Sequence, residues 1–214
     1  MRVVHVHLHK VMTMETKALP FMIYAEMTPN PASMKFVANR VLVEGDKVYE
    51  YQQADQADSS PLAQRLFSFP FVKGVFIAQN FITISKMDGV EWEEITMELR
   101  DYVANYLNAG YEVVQATAES TEAETEDSGI TDHSVAETPV EEKIIEILDD
   151  YVRPAVEGDG GAIHFKSFEN GTLTVVLKGS CSGCPSSTVT LKAGIQGLFE
   201  RMLPEVKEVV AEEL

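Results

Sequence analysis

Cysteine is almost missing from this chain: two in 214 residues, Cys181 and Cys184. Two cannot build a disulfide framework, so any sulfur chemistry rests on that one pair. Positive charge is scarce as well. Seventeen Lys and Arg stand against 34 Asp and Glu, a net charge of −17. This deficit argues against a nucleic-acid partner, which needs a basic patch to displace counterions from phosphate. It argues equally against docking on an anionic membrane. No apolar run approaches the roughly 18 residues that cross a bilayer. The remaining composition, 45% hydrophobic and 24% charged, is that of an ordinary soluble globular protein.

The first 20 residues lack an apolar core followed by a small-residue cleavage site, so a secretory signal is not expected. Glu15 and the scarcity of Arg fit a transit peptide badly. With both cysteines expected reduced, a cytoplasmic location is the expectation. His5, His7 and His9 alternate with Val6 and Leu8, which would put three imidazoles on one face of a strand. A polar strand face is the plainer account of them, and a metal site the sharper one.

The excess charge is unevenly spread. Residues 115–142 hold nine acids and no Lys or Arg. They contain no aromatic residue and cannot bury enough apolar area to offset their ordering entropy. The stretch 115–139 therefore reads as a flexible acidic linker, and the two halves it joins are expected to tumble independently. The fold class is α+β: two small mixed domains, 1–114 and 140–214.

In the first domain, Phe21 to Met27 is strand-like and Thr28-Pro29-Asn30-Pro31 is a turn. Lys35 to Val37 and Arg40 to Val43 read as short strands. Ser60-Pro61 opens a helix with Leu62, Leu66 and Phe69 on its inner face. Gly74 to Lys86 reads as a hairpin turning near Gln79-Asn80. Trp92, Ile95, Leu99, Val103, Tyr106 and Leu107 recur at helical spacing, and Gly110 ends that helix. The domain has no cysteine and no catalytic cluster.

The second domain reads as helix–hairpin–helix with a last strand. Val140, Ile144, Ile147, Leu148 and Tyr151 mark one face of a helix expected to stop before Pro154. Two strands flank Asn170-Gly171, the strongest short hairpin signal. Leu191, Ile195, Leu198, Met202 and Leu203 mark a second helix, and a strand is expected over residues 206–211.

The chemistry lies in Gly179-Ser180-Cys181-Ser182-Gly183-Cys184-Pro185, between a strand and a helix start. Pro185 suits the first helical turn, Ser186 and Ser187 suit capping, and the positive end of the helix dipole should lower the thiol pKa. Two-residue spacing lets both thiolates reach one metal centre. Three readings stay open on spacing alone. One is a thioredoxin-like redox pair, against which the surroundings do not look like a βαβ array. Another is half of a zinc site, completed by His164 or by a second subunit. The third is half of an iron–sulfur site, completed by a second chain across a two-fold axis.

The flanking residues add a resemblance. Arg153-Pro154, Asp159-Gly160-Gly161, the cysteine loop with Ser186-Ser187, Thr190-Leu191-Lys192 and Ile195 follow one another over about 45 residues. This pattern resembles the C-terminal domain of NifU-like iron–sulfur scaffold and carrier proteins. Thr28-Pro29-Asn30-Pro31-Ala32-Ser33-Met34-Lys35-Phe36 and Ser60-Pro61-Leu62-Ala63 resemble the Nfu-type N-terminal domain, starting at about residue 21. The first 20 residues and the long acidic linker depart from the family pattern; the cysteine loop does not. The resemblance implies a non-enzymatic protein that binds an iron–sulfur cluster, usually 4Fe–4S with 2Fe–2S the alternative. The cluster would sit between the loops of two subunits, with Cys181 and Cys184 as ligands. The implied partners are a second copy, the cysteine-desulfurase assembly machinery and apo iron–sulfur proteins.

Overall fold

The computed structural model describes residues 19–115, 133–182 and 185–213. His5, His7 and His9, most of the acidic stretch, Gly183 and Cys184 lie outside the described residues, as do the side chains of Ser186 and Ser187.

The first domain is built on five antiparallel strands in the order β1-β2-β5-β4-β3. These are β1 (Ile23–Met27), β2 (Ser33–Ala38), β3 (Tyr49–Tyr51), β4 (Val72–Ala78) and β5 (Phe81–Lys86). Helices α1 (Pro61–Leu66) and α2 (Trp92–Asn108) supply the other layer. Ser60 caps α1 by accepting from the Ala63 N–H at 3.1 Å, and Pro61 sits where its missing donor costs nothing. Ile95, Leu99 and Val103 of α2 pack with Phe36, Ile77, Ile82 and Ile84 of the sheet. The hairpin turn at Gln79-Asn80 falls as expected. Residues 40–43 form no strand. Leu42 and Val43 instead donate their N–H groups to the Gln79 carbonyl, bracing that turn from outside the sheet. The fifth strand is Tyr49–Tyr51, three residues long.

The second domain begins earlier than residue 140. Helix α3 (Pro139–Ile147) is closed by a capping box: Thr138 Oγ1 accepts from the Glu141 N–H, and the Glu141 carboxylate accepts from the Thr138 N–H at 2.8 Å. Upstream, His133 Nδ1 accepts from the Phe165 N–H at 2.8 Å and the Ser134 N–H reaches the Phe165 carbonyl. Residues 133–139, expected in the linker, are thus attached to the second domain.

The first helical run does not stop before Pro154. It widens into a π turn over Leu148–Val152 and continues as α4 (Arg153–Gly158), with Pro154 in the first turn, where no N–H donor is needed. The wider turn resets the helical phase. Val152 and Val156 are buried, and Tyr151, expected on the inner face, is exposed.

Strands β6 (Gly161–Glu169) and β7 (Thr172–Gly179) form the hairpin, with Asn170 and Gly171 both at positive φ. Helix α5 (Pro185–Met202) crosses back, and β8 (Glu208–Glu213) pairs parallel to β7. Ile163, Phe165, Leu173, Val175 and Leu177 pack against Ile144, Leu148, Ile195 and Phe199 in this core.

The halves touch, contrary to the expectation of two independent bodies. Val48, Phe76, Ala78 and Phe81 of the first domain gather around Ala162 of the second. Three of the five strands, β2, β4 and β5, therefore carry buried residues on both faces: Phe36 and Ile82 toward the helices, Phe76 and Phe81 toward the second domain. This explains why β4 is buried from Gly74 to Ala78 without alternation.

Candidate functional site

Cys181 lies just past the end of β7, on the same side of the hairpin as Ile163 and Phe165, and is 5% exposed. Two glycines put it there. Gly179 has φ +69°, which lets β7 turn sharply into the loop. Opposite it in the ladder stands Gly161, where a Cβ would fall 2.6 Å from the Lys178 carbonyl and 2.8 Å from Cys181 Sγ. Only a residue without a side chain leaves room for the sulfur. The Asp159-Gly160-Gly161 turn thus acts as the loop's seat. Ser180 completes it, donating its hydroxyl to the Asp159 carbonyl and its N–H to the Gly160 carbonyl. Ser182 folds back on the Gly179 carbonyl through both its N–H and its hydroxyl. Helix α5 starts at Pro185, so its positive end follows the loop as expected.

Beside Cys181 runs an open groove of about 710 Å³ between the α4 region and α5, lined by Tyr151, Ala155, Leu191, Ile195 and Leu198, with Pro29 of the first domain at its edge. It is largely apolar, a setting that shelters sulfur from water.

The loop also meets charged residues that sequence reasoning did not single out. The Glu50 carboxylate, on β3, accepts from the Gly179 N–H at 3.2 Å and from the Ser182 hydroxyl at 3.4 Å. Burial pushes the Glu50 carboxyl up from 4.5, opposed by those bonds and by the Lys178 charge. Burial likewise lowers Lys178 from 10.5, opposed by Glu50. Asn30 Nδ2 donates to the Ser180 carbonyl at 3.1 Å. Glu50 and Gly179 are 129 positions apart and Asn30 and Ser180 150 apart, so no local pattern could reveal either contact.

His164, the residue that would complete a zinc site within one chain, stands elsewhere. Side chains alternate along β6, and His164 falls with Ala162 on the face opposite Ile163, Phe165 and Cys181. Its ring lies 5.9 Å from that of His133. Among the described residues, no three His, Cys, Asp or Glu side chains form a metal-sized group. The objection to a redox pair also changes. β7, the cysteine loop, α5 and the parallel β8 do form a βαβ unit, so local architecture does not separate a redox pair from a cluster site. Among the described residues no helix is long and apolar enough to cross a membrane.

The comparisons with known proteins narrow the choice. Residues 23–110 match the family described as scaffold protein Nfu/NifU N terminal, and residues 144–210 match the NifU-like domain. Proteins named NFU1 iron-sulfur cluster scaffold homolog, mitochondrial, from Drosophila sechellia and Drosophila erecta are 38% identical over 187 residues, covering 87% of this chain and 63% of theirs. This chain therefore spans a little under two thirds of the length of those relatives. A solution structure of a NifU-like protein from Saccharomyces cerevisiae is 28% identical, covering 54% of this chain and 100% of that one, with a TM-score of 0.41. The relatives' mitochondrial names overturn the expected cytoplasmic location. Scarce, reduced cysteine speaks to redox conditions, not to an address, and the composition of the first 20 residues is a weak guide to compartment. With both domains matched in order along the chain, it belongs to the Nfu/NifU-like family.

Proposed function

We propose that this chain is an iron–sulfur cluster carrier. It holds the cluster as cargo between the cysteine loops of two copies and passes it to apo-proteins, without catalysing a reaction of its own. The observation that carries this reading is the seat of Cys181. A glycine turn is emptied of side chains to admit one sulfur, at a strand–helix junction beside an apolar groove. A buried structural cysteine requires no such clearance.

The donor count sets the assembly. Cys181 and Cys184 are the chain's whole supply of thiols, and a cluster typically takes four thiolates. Two copies related by a two-fold axis supply them. A site divided between chains opens when the contact loosens, which suits a protein that must give its cargo away. The 4Fe–4S form fits this count, and the 2Fe–2S form is compatible with it. Cysteine-desulfurase assembly proteins are the donors this role calls for, with apo iron–sulfur proteins as acceptors. The relatives' names point to the mitochondrion as the compartment.

Anaerobic reconstitution with ferrous iron and sulfide tests the reading. The expected product is a brown dimer with about two irons per chain, of 4Fe–4S type by Mössbauer spectroscopy. Cys181→Ser and Cys184→Ser should each abolish uptake. A strictly monomeric holo-protein, or a full cluster in both single variants, would overturn the assignment. A colourless protein that instead reduces disulfides catalytically would establish the redox reading.

A further inference from the structure

The first domain does more than touch the second: it grips the cysteine loop. Glu50 takes the Gly179 N–H and the Ser182 hydroxyl, and Asn30 takes the Ser180 carbonyl. These three loop residues bracket Cys181. The seat below is held too. Thr83 Oγ1 donates to the Gly160 carbonyl at 2.7 Å, and Lys35 Nζ donates to the Glu157 and Gly158 carbonyls at 2.8 and 3.3 Å. That last pair sets a cation on the terminal carbonyls of α4, the favoured end for it. The apolar part of the contact is confined to a few side chains around Ala162. An interface made of hydrogen bonds around a small apolar patch resembles the exchangeable kind between domains, not a fused core.

We propose that the first domain is a removable cover for the cysteine loop of its own chain, and that seating this cover and bridging a cluster to a second copy exclude each other. The proposal rests on the carrier reading above. A shared cluster requires each loop to turn its sulfurs toward the other chain. Here Pro29, Asn30 and Glu50 occupy the space beside Gly179, Ser180 and Ser182 and hold the loop with Cys181 turned into the core of its own domain. The occupant of this surface is therefore either the chain's own first domain or the loop of a second copy. Linkage makes the effect reciprocal: whatever weakens the cover strengthens cluster bridging by the same factor for each of the two chains, and cluster bridging drives the cover off. Carrier copies without cargo would keep Cys181 turned inward and stay single.

The test uses the full chain, with the double variant Asn30→Ala/Lys35→Glu, which removes contacts to the loop and to α4. Thr83→Val is the milder companion, deleting one hydroxyl from the contact with nearly unchanged shape. The readouts are ¹⁵N relaxation of both domains, with and without cluster, and the extent of anaerobic cluster loading at limiting iron. In the wild-type apo-protein the two domains should share one correlation time. In the wild-type holo-dimer, and in the apo double variant, the first domain should tumble faster than the second. The double variant should bind cluster more tightly, by about a hundredfold for a cover weakened about tenfold in each of the two chains, with Thr83→Val lying between. A wild-type holo-dimer that still tumbles as one body, or a double variant that undocks and loads no better, overturns the cover alone. Failure of wild type and variants alike to take up cluster overturns the carrier reading, and the cover with it.

Discussion

Replacing Gly161 by alanine would put a methyl group where the structure has none to spare. The new Cβ would lie 2.6 Å from the Lys178 carbonyl, 2.8 Å from Cys181 Sγ and 3.2 Å from Cys181 Cβ. The first of these neighbours cannot easily yield. The Lys178 carbonyl belongs to β7, which is paired with β6 on one side and β8 on the other. Withdrawing β6 is costly as well, because it would break the ladder that pairs Gly161 with Gly179 and Ala162 with Lys178. The sulfur is left to move. Overpacking of this kind costs about 1–3 kcal/mol. Urea unfolding should show that loss in the apo-protein, and cluster loading should fall beyond it, because the displaced atom is itself a ligand in the proposed function. A Gly161→Ala protein within about 0.5 kcal/mol of wild type, the range of an ordinary surface change, that also loaded normally would refute the idea that this glycine exists to seat Cys181.

Thr138→Ala should remove the capping box of α3 and cost about 1 kcal/mol of stability, visible as a lower urea midpoint with unchanged slope; no change would mean that the start of α3 is held by packing alone. For Glu50, burial raises the folded-state carboxyl above its unfolded value of 4.5. A raised carboxyl contributes stability that is fully present below pH 4.5 and is lost as pH climbs through the raised value. Glu50→Gln keeps the acceptor oxygen and removes the titration. Wild type should therefore lose stability relative to the glutamine variant on going from pH 4 to 8, checked by urea unfolding across that range, and parallel pH profiles would contradict the burial.

The local elements were legible wherever one physical signal was undivided. Ser60-Pro61 marks a helix start because a side-chain acceptor and a missing donor agree. Asn170-Gly171 marks the hairpin because both residues tolerate positive φ. The α2 stripe is legible because one face alone is buried: Ile95, Leu99, Val103, Tyr106 and Leu107 are. Reading failed where tertiary contact overrode the local pattern. Arg40 to Val43 has strand-like composition, yet Val43 is buried by bracing a turn. Pro154 is a breaker in an ordinary helix and harmless after a π turn, which no composition announces. β3 is too short to show periodicity. At the site, spacing and context single out the cysteine loop as the candidate, and the glycines that seat Cys181 read as a turn. The carboxylate and amide that hold the loop were invisible, because their partners lie 129 and 150 positions away.

The parallel pairing of β8 with β7 has a consequence for how this protein is made. β7 leads directly into the cysteine loop, and its outer edge stays open until β8 arrives, some thirty residues later in the chain. The hydrophobic layer behind the loop is therefore unfinished until the last strand docks, so the cysteine end of the domain cannot settle before the far end of the chain has been made.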